Sequence, residues 1–203
     1  MLELNMHCLA RLSPGSEQRS HGFTLIELMV TMVILAILAA VATPSLVTFQ
    51  RNAELTSITN QLVAALNAAR GEGMKRNMPS MVTPTDGDDD WGKGWRVFVD
   101  SNFNGTYDST DILILEQAAP PGYITITGNG TSAESQSYIL YDGSGFSKTK
   151  NGGFGASTLQ IERADEVSLQ HTRRIKVASS GRLRVCTPAS ANDTGCSASA
   201  AND

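Results

Sequence analysis

The hydrophobic and polar positions divide the chain into an apolar stretch, an amphipathic segment and a longer polar remainder. The apolar stretch covers residues 23–47 and contains one charged residue, Glu27, and one proline, Pro44. About 20 apolar residues cross the hydrocarbon core of a bilayer as a helix, so the stretch is long enough to be a membrane span. A secretory signal would be followed by a small-residue cleavage site, and no A-x-A site follows this stretch. The pattern therefore predicts a retained span.

The segment after Pro44 is predicted to continue as an amphipathic helix. Its apolar residues recur at spacings of three and four, namely Leu55, Ile58, Leu62, Leu66 and Ala69. The pattern runs to about Arg70, where Gly71 and Gly73 weaken it. Together with the apolar stretch it makes one helix of about 50 residues and ~75 Å. We expect a bend at Pro44, because proline removes one helical hydrogen bond.

The remainder, from about Pro79 onward, is predicted to be β-rich. Gly, Asn, Thr and Ser separate short runs of β-branched and aromatic residues, which is typical of antiparallel strands. The predicted strands are 95–99, 112–115, 123–127, 138–141 and 158–161. The predicted fold class is therefore α+β, a long N-terminal helix followed by an antiparallel β-sheet domain.

Composition narrows the classes of function. The chain has 203 residues, a net charge of −4, three histidines and three cysteines. Its 41% hydrophobic content is too high for a disordered chain. The negative balance confines any nucleic-acid contact to a local patch. So few histidines and cysteines argue against a multi-metal or histidine-rich catalytic site.

The residues at the start of the apolar stretch carry a specific resemblance. The run Gly22-Phe-Thr-Leu-Ile-Glu-Leu28 is similar to the type III signal of type IV pilins and type II secretion pseudopilins. The resemblance implies the pilin fold, and a leader, residues 1–22, that a prepilin peptidase cuts after Gly22. It also implies methylation of the new amino terminus on Phe23 and a part for Glu27 in joining other pilins in a filament.

The position of Glu27 has a physical reason in this interpretation. A carboxylate in an apolar helix is costly unless it is paired. The amino terminus on Phe23 of a neighbouring subunit is a cationic partner, and a carboxylate also suits the N-terminal end of a helix. The alternative is an ordinary single-pass anchor, in which Glu27 lies at the level of the lipid headgroups.

A tryptophan-glycine element narrows the family. Asp90-Trp-Gly-Lys-Gly-Trp95 resembles the W-G-x-G-W element of the FimT, FimU and GspH group of minor pilins and pseudopilins. Glycines permit tight backbone geometry, and buried aromatic rings stabilise small cores. We therefore expect a core and turn role for this element rather than a ligand-binding aromatic site.

An oxygen-rich segment follows at residues 100–111. Its side chains have the spacing of an EF-hand calcium loop, at Asp100, Asn102, Asn104, Asp108 and Asp111. The twelfth position holds Asp111 in place of the longer Glu, and predicted strands rather than helices flank the segment. Asn and Asp also stabilise turns that hold no metal. A hairpin loop without metal is therefore favoured, with calcium as the alternative cofactor.

Charge is divided unevenly along the domain. Residues 86–116 carry eight acidic and two basic side chains, whereas residues 148–184 carry eight basic and three acidic ones.

Two alternating runs on either side of residues 179–181 predict a hairpin with Gly181 at a positive-φ position. The expected core-facing residues are Ile175, Val177, Leu183 and Val185, and those of the opposite face are Arg174, Lys176, Arg182 and Arg184.

The basic face of this hairpin is the candidate DNA contact. The predicted register places Lys176 opposite Arg184, and like charges directly opposite are destabilising unless a polyanion relieves them. Residues 181–184, Gly-Arg-Leu-Arg, also resemble the G-R-x-R element that is associated with DNA binding during uptake in the FimT group. The alternative is a solvated basic face or a contact between subunits.

Cysteine positions bear on the compartment. Cys8 lies in the leader, whereas Cys186 and Cys196 remain in the exported domain, where an oxidising periplasm favours a disulfide. On the chain-entropy model such a bond stabilises the fold by about 3 kcal/mol. It would tie the Ser/Ala/Asn-rich tail to the basic strand.

These observations predict a minor pilin or pseudopilin of the FimT and GspH group, without catalysis of its own. The expected segments are the cleaved leader 1–22, the membrane and filament half of the helix 23–47, its amphipathic half 48–77 and a periplasmic domain 78–203. The expected partners are the prepilin peptidase, other pilins, the inner membrane and double-stranded DNA, and the domain becomes extracellular or tip-located in a pilus. The alternatives are a GspH-type pseudopilin of type II secretion and a membrane-tethered calcium-binding or enzymatic domain.

Overall fold

The computed structural model describes residues 22–200 apart from 88, 134 and 167. Of the predicted leader, only Gly22 is among the described residues, and the last three positions of the predicted domain lie outside them. The chain forms two compact units, Met1–Leu46 and Val47–Asp203.

Helix α1 spans Leu25–Arg76 and includes Pro44. It runs past Arg70, the last residue of the predicted apolar spacing, and ends one residue before the predicted limit of the amphipathic half at residue 77. Its last turns contain Gly73, beside which a neighbouring strand lies. A Cβ on Gly73 would lie only 2.6 Å from the Ser80 hydroxyl oxygen. That hydroxyl donates a hydrogen bond to the Ala69 carbonyl oxygen at 2.6 Å. The glycine that weakens the helical pattern is therefore the residue that lets the strand approach.

The end of α1 has a recognisable cap. Asn77 has a φ of 52°, in the left-handed region. Its N–H donates to the Met74 carbonyl oxygen at 3.4 Å, and the Met78 N–H donates to the Gly73 carbonyl oxygen at 3.1 Å. This pair of bonds is the Schellman motif, which satisfies carbonyl groups that have no partner within the helix.

In chain order, the strands among the described residues are β1 (Ser80–Pro84), β2 (Gly94–Val99), β3 (Ile112–Ala118), β4 (Ile124–Gly130), β5 (Ile139–Tyr141), β6 (Ser147–Lys148), β7 (Ser157–Arg163), β8 (Thr172–Val177) and β9 (Leu183–Cys186). They form two antiparallel sheets, which we name sheet A, ordered β3-β2-β1-β5-β6, and sheet B, ordered β4-β7-β8-β9. The predicted α+β fold class, a long helix followed by antiparallel sheets, is confirmed. The sequence missed β1, which follows Pro79 and ends at Pro84, and β6, which has only two residues.

One core holds both sheets to α1. The five apolar helix residues predicted from spacing are all buried. They share a single cluster with inner-face residues of sheet A (Val82, Trp95, Val97, Ile139, Tyr141) and of sheet B (Ile124, Ile126, Leu159, Ile161, Ile175, Val177). Both sheets and the helical stripe therefore share one core.

The tryptophan-glycine element belongs to this core, as expected. Trp91 and Trp95 are both fully buried, and the Trp91 indole N–H donates to the Ser132 carbonyl oxygen at 3.0 Å. Gly94 has a φ of 102°, and a Cβ there would overlap the Gln117 carbonyl oxygen. The element thus places two rings in the core and a turn beside β3, and its core and turn role is confirmed.

An ion network joins α1 to the end of β7. Arg163 is 1% exposed and donates two hydrogen bonds to Asp165, at 3.1 and 2.7 Å, and one to Asn52 at 2.9 Å. Arg51 lies 2.6 Å from the same carboxylate. Hydrogen bonds from Arg163 first, and then from Arg51, hold the pKa of Asp165 well below its usual range. A buried guanidinium is tolerated here because its donors are satisfied.

We predict that Leu62→Ala destabilises the domain by roughly 2–5 kcal/mol, since it removes a fully buried side chain between two sheets. The measurement is denaturant unfolding of the full chain in detergent micelles, followed by tryptophan fluorescence. Asn67→Ala, an exposed position of the same helix, is the matched control and should change stability by less than about 0.5 kcal/mol. Equal stability of the two variants would contradict the assigned core.

Candidate functional site

The start of the apolar stretch is built as a helix cap. Glu27 Oε2 accepts hydrogen bonds from the Thr24 N–H at 3.4 Å and from its hydroxyl at 3.5 Å. The Thr24 hydroxyl oxygen accepts one from the Glu27 N–H at 3.2 Å. This reciprocal pair is a capping box, which satisfies amide donors at a helix start. Glu27 therefore has a role within its own chain that the sequence reasoning missed, although the T-x-x-E spacing carries the signal.

The apolar half of α1 is exposed along its whole length. Every residue from Phe23 to Leu46 is exposed in the single chain. An 18-residue window of α1 has a mean hydropathy of 2.7, and by length and composition the helix is able to cross a membrane. Covering apolar surface gains about 25 cal/mol per Å², so this surface is expected to lie against lipid or other apolar helices.

The basic hairpin forms with the predicted register. β8 and β9 pair antiparallel, with Lys176 opposite Arg184. The Ala178 N–H donates to the Arg182 carbonyl oxygen at 3.0 Å, and the Gly181 N–H donates back to the Ala178 carbonyl oxygen at 2.8 Å. Gly181 has a φ of 77°, the positive value expected for this turn.

Exposure separates the four basic residues of the hairpin. Arg174 and Lys176 are buried, with 8% and 5% of their surface exposed. Arg184 is half-buried and Arg182 is exposed. The expected open basic face is therefore wrong for Arg174 and Lys176. Val185, expected in the core, is 44% exposed, because it lies on the edge strand of sheet B and outside the core cluster.

The chain after β9 explains why the basic face is covered. A disulfide joins Cys186 to Cys196, with Cα atoms 5.8 Å apart, as predicted. The returning chain presents carbonyl oxygens to the arginines: that of Cys196 accepts a hydrogen bond from Arg174, and that of Gly195 accepts one from Arg184. These bonds satisfy guanidinium donors that burial would otherwise leave unpaired.

The same tail continues across the rest of sheet B. The Ser199 carbonyl oxygen accepts a hydrogen bond from the Thr158 hydroxyl of β7 at 3.0 Å, and the Ala200 N–H donates to the Asn129 side chain of β4 at 3.3 Å. Together with its contacts to β9 and β8, the tail crosses all four strands. The sequence analysis missed this cover because the tail has no hydrophobic periodicity.

The turn that presents Arg182 is anchored to the rest of the domain. Arg70 of α1 donates to the carbonyl oxygens of Gly145 at 2.9 Å and Ser180 at 3.3 Å. A Cβ on Gly181 would overlap the Gly145 carbonyl oxygen. Only glycine combines the positive φ with this close approach. The first residue of the G-R-x-R element therefore has a packing role, and Arg70 is a positioning residue that the sequence reasoning missed.

Residues 100–111 form the loop between the antiparallel strands β2 and β3. Asp100 is buried, and its carboxylate accepts hydrogen bonds from two loop N–H groups, at 3.1 and 2.8 Å. The two carboxylate oxygens of Asp111 accept from two further N–H groups, at 2.9 and 3.0 Å. In an EF-hand the residue at the twelfth position binds calcium through both carboxylate oxygens. Here both oxygens of Asp111 accept hydrogen bonds from the loop backbone instead.

Asp108 is hydrogen-bonded in the same way. It accepts from the N–H and hydroxyl of Thr110, at 2.7 and 2.6 Å, and from the side-chain amides of Asn102 and Asn104, at 2.7 and 2.6 Å. These bonds, those of Thr110 first, lower the pKa of Asp108 to about 2. Within the described residues, no group of three or more His, Cys, Asp or Glu side chains is placed to hold a metal ion. The hydrogen bonding favours a loop stabilised by its own donors.

The family model described as type II transport protein GspH matches residues 59–181, which is more than half of the chain. The chain belongs to the GspH family. A second model, the prokaryotic N-terminal methylation motif, matches residues 18–43 of this GspH-family protein. No curated protein matches it.

Two crystal structures of the type IV minor pilin FimU from Pseudomonas aeruginosa strain PAO1 are similar to the GspH-family chain. One is 20% identical and covers 68% of this chain and 92% of its own, with a TM-score of 0.49. The other is 18% identical and covers 64% of this chain and 91% of its own, also with a TM-score of 0.49.

Family membership assigns the class of function. The protein is a pilin-like structural subunit of a type IV pilus or of a type II secretion machine, and it is not an enzyme. The methylation motif implies processing by a prepilin peptidase and assembly with other pilins. The resemblance drawn from Gly22–Leu28 and Asp90–Trp95 is thereby confirmed, and the enzymatic alternative is wrong. Cleavage after Gly22 and methylation of Phe23 stay predictions.

We predict that calcium leaves the stability of residues 100–111 unchanged, because the carboxylates of Asp100, Asp108 and Asp111 already accept hydrogen bonds from the loop. The measurement is thermal unfolding of the full chain in detergent with excess calcium and with excess EDTA. The midpoint should be the same in both. If calcium raised the unfolding midpoint of the wild type and Asp108→Asn abolished that increase, the loop would instead be a metal site.

Proposed function

We propose that the protein is a minor pilin of a type IV pilus, anchored in the inner membrane by residues 23–47 with its β-domain in the periplasm. The observation that supports this is the wholly exposed apolar half of α1, with one carboxylate, Glu27, at its N-terminal end. In this proposal the apolar halves of neighbouring subunits pack side by side. The β-domain then lies on the outside or at the tip of the pilus.

The carboxylate of Glu27 is proposed to change partners during assembly. In the single chain it accepts hydrogen bonds from the uncharged donors of Thr24. Removal of the leader creates an amino group on Phe23, and the Phe23 amine of a neighbouring subunit offers a cationic donor. Opposite charges attract more strongly in an apolar surrounding than in water, and a buried carboxylate without a cation is costly there. Assembly is therefore favoured by the ion pair.

We propose further that the β8–β9 turn contacts double-stranded DNA. Arg182 is exposed at the turn, and Arg184 is half-buried beside it. Arg174 and Lys176 lie beneath the tail, so they add positive potential rather than direct phosphate contacts. The candidate contact set thus narrows from four residues to Arg182 and Arg184.

The second candidate function is that of a pseudopilin in type II secretion. It is favoured by the description of the matching family, a type II transport protein. The two functions share the anchor and the helix packing, so only a test of the domain surface or of the filament distinguishes them. A secretion pseudopilin has no need of a DNA contact.

We predict that Glu27→Ala and Glu27→Gln both abolish incorporation into the filament. Glutamine keeps a side-chain oxygen for the Thr24 donors but loses the charge, so it separates helix capping from ion pairing. The measurement is the amount of the variant in sheared filaments relative to the membrane fraction. Normal incorporation of Glu27→Gln would show that capping is sufficient and would contradict the proposed pairing with Phe23.

We predict that Arg182→Gln weakens duplex DNA binding about tenfold at moderate salt and lowers the salt slope by about one. The measurement is fluorescence anisotropy with the full chain in detergent across a salt series. Lys93→Gln, a basic position outside the hairpin with its side chain 57% exposed, is the charge-matched control. Binding that is absent, or equal in the two variants, would favour the secretion pseudopilin.

A further inference from the structure

The turn that carries Arg182 is packed against a second turn, residues 142–146, which carries an exposed aromatic ring. The Ser147 N–H donates to the Ser179 carbonyl oxygen at 3.0 Å, and the Gly145 carbonyl oxygen lies against Gly181. Arg70 binds both turns. The chain around Ser147 is therefore packed against the turn that carries Arg182.

Two exposed aromatic rings lie on this second turn and the chain that follows it. Phe146 is 42% exposed and Phe154 is 67% exposed. Their ring centroids are 6.1 Å apart with an interplanar angle of 66°, so Phe146 supports Phe154 edge to face. The Lys148 ammonium lies 3.8 Å from the Phe154 ring centroid. The arrangement holds a ring in place next to a cation while leaving most of it open to solvent.

The surroundings of these rings are positively charged. The adjoining segments 70–76, 142–155 and 178–182 carry six Lys or Arg side chains and two carboxylates, in a chain whose net charge is −4. Both carboxylates are occupied locally. Glu72 pairs with two cations of its own helix. Asp142 lies 3.9 Å from the Lys148 ammonium and accepts hydrogen bonds from the N–H groups of Ser144 and Phe146 at 2.9 and 3.0 Å. Four cations remain in excess of the two carboxylates. This end of the domain therefore attracts anions.

A groove continues from this surface. It has a volume of about 370 Å³ and is lined by Lys148 and Lys150 together with the exposed ring of Phe103. Two carboxylates also line it, and both accept backbone hydrogen bonds: Asp100 from its own loop and Asp142 from its turn. Lys148 thus belongs both to this groove and to the pair of rings, and its strand is packed against the turn that carries Arg182.

Exposed aromatic rings beside cations suit a polyanion that also has flat groups open for stacking. In duplex DNA the base faces are stacked on one another, whereas in a single strand each base has a face that an aromatic side chain can cover. We propose that this end of the domain binds single-stranded nucleic acid, with Phe154 stacking on a base and Lys148, Lys150 and Arg182 contacting the backbone. The proposal rests on the proposed DNA contact at the β8–β9 turn and extends it to a neighbouring loop.

The test compares three probes on the full chain in detergent micelles: an oligothymidine of about 15 nucleotides, an abasic strand of the same length, and a duplex of the same length. Phe154→Leu removes the ring but keeps an apolar side chain. Phe49→Leu is the matched control, because Phe49 is 73% exposed and lies about 30 Å from Arg70 along the axis of α1.

We expect the wild type to bind oligothymidine about tenfold more tightly than the abasic strand, and Phe154→Leu to lose that difference. Duplex binding should be unchanged by Phe154→Leu, and Phe49→Leu should behave as the wild type. Equal binding of oligothymidine by the wild type and Phe154→Leu would overturn the inference. If Phe154→Leu has no effect but Arg182→Gln still weakens duplex binding, the single-strand inference fails and the proposed DNA contact at the β8–β9 turn is supported. If neither variant weakens the binding of any probe, both the inference and the proposed DNA contact fail.

Discussion

The packing of one helical stripe against two sheets is the constraint on which the rest of the domain depends. Leu62 and Leu66 are fully buried in the cluster that contains the inner-face residues of sheets A and B. Arg70 follows Leu66 by one helical turn, and from there it holds the turns at Gly145 and Ser180. Arg70 therefore joins the basic turn to the helix of the hydrophobic core, and the Ser147–Ser179 backbone hydrogen bond and the pairing of β8 with β9 hold the same turn.

The spacing of apolar residues predicts the buried face of the helix, because that face depends only on residues close together in the chain. The spacing of Leu55, Leu62 and Ala69 predicts the buried helix face, because a 3.6-residue period marks one side of a helix. The apolar spacing does not predict the last turns of the helix, which finish at the local cap of Asn77. Gly73 reads as a weak helix position, yet its lack of a side chain is what admits Ser80.

In the candidate site, too, the features set by neighbouring residues are predictable from the sequence, and those set by distant parts of the chain are not. Alternation around Gly181 predicts the hairpin and its register, because both depend on neighbouring residues. The burial of Arg174 depends on a tail that returns at Cys196, and no periodic pattern in the sequence predicts where that tail lies. The capping role of Glu27 was available from its spacing to Thr24 alone.

The contact between Gly181 and Gly145 has a consequence for how the G-R-x-R element is used in comparing genomes. The packing of the turn requires this glycine, because a Cβ there would overlap the Gly145 carbonyl oxygen. That requirement is the same whether or not the domain contacts DNA. The glycine of the element is therefore a mark of the fold, and only its arginines bear on the proposed DNA contact.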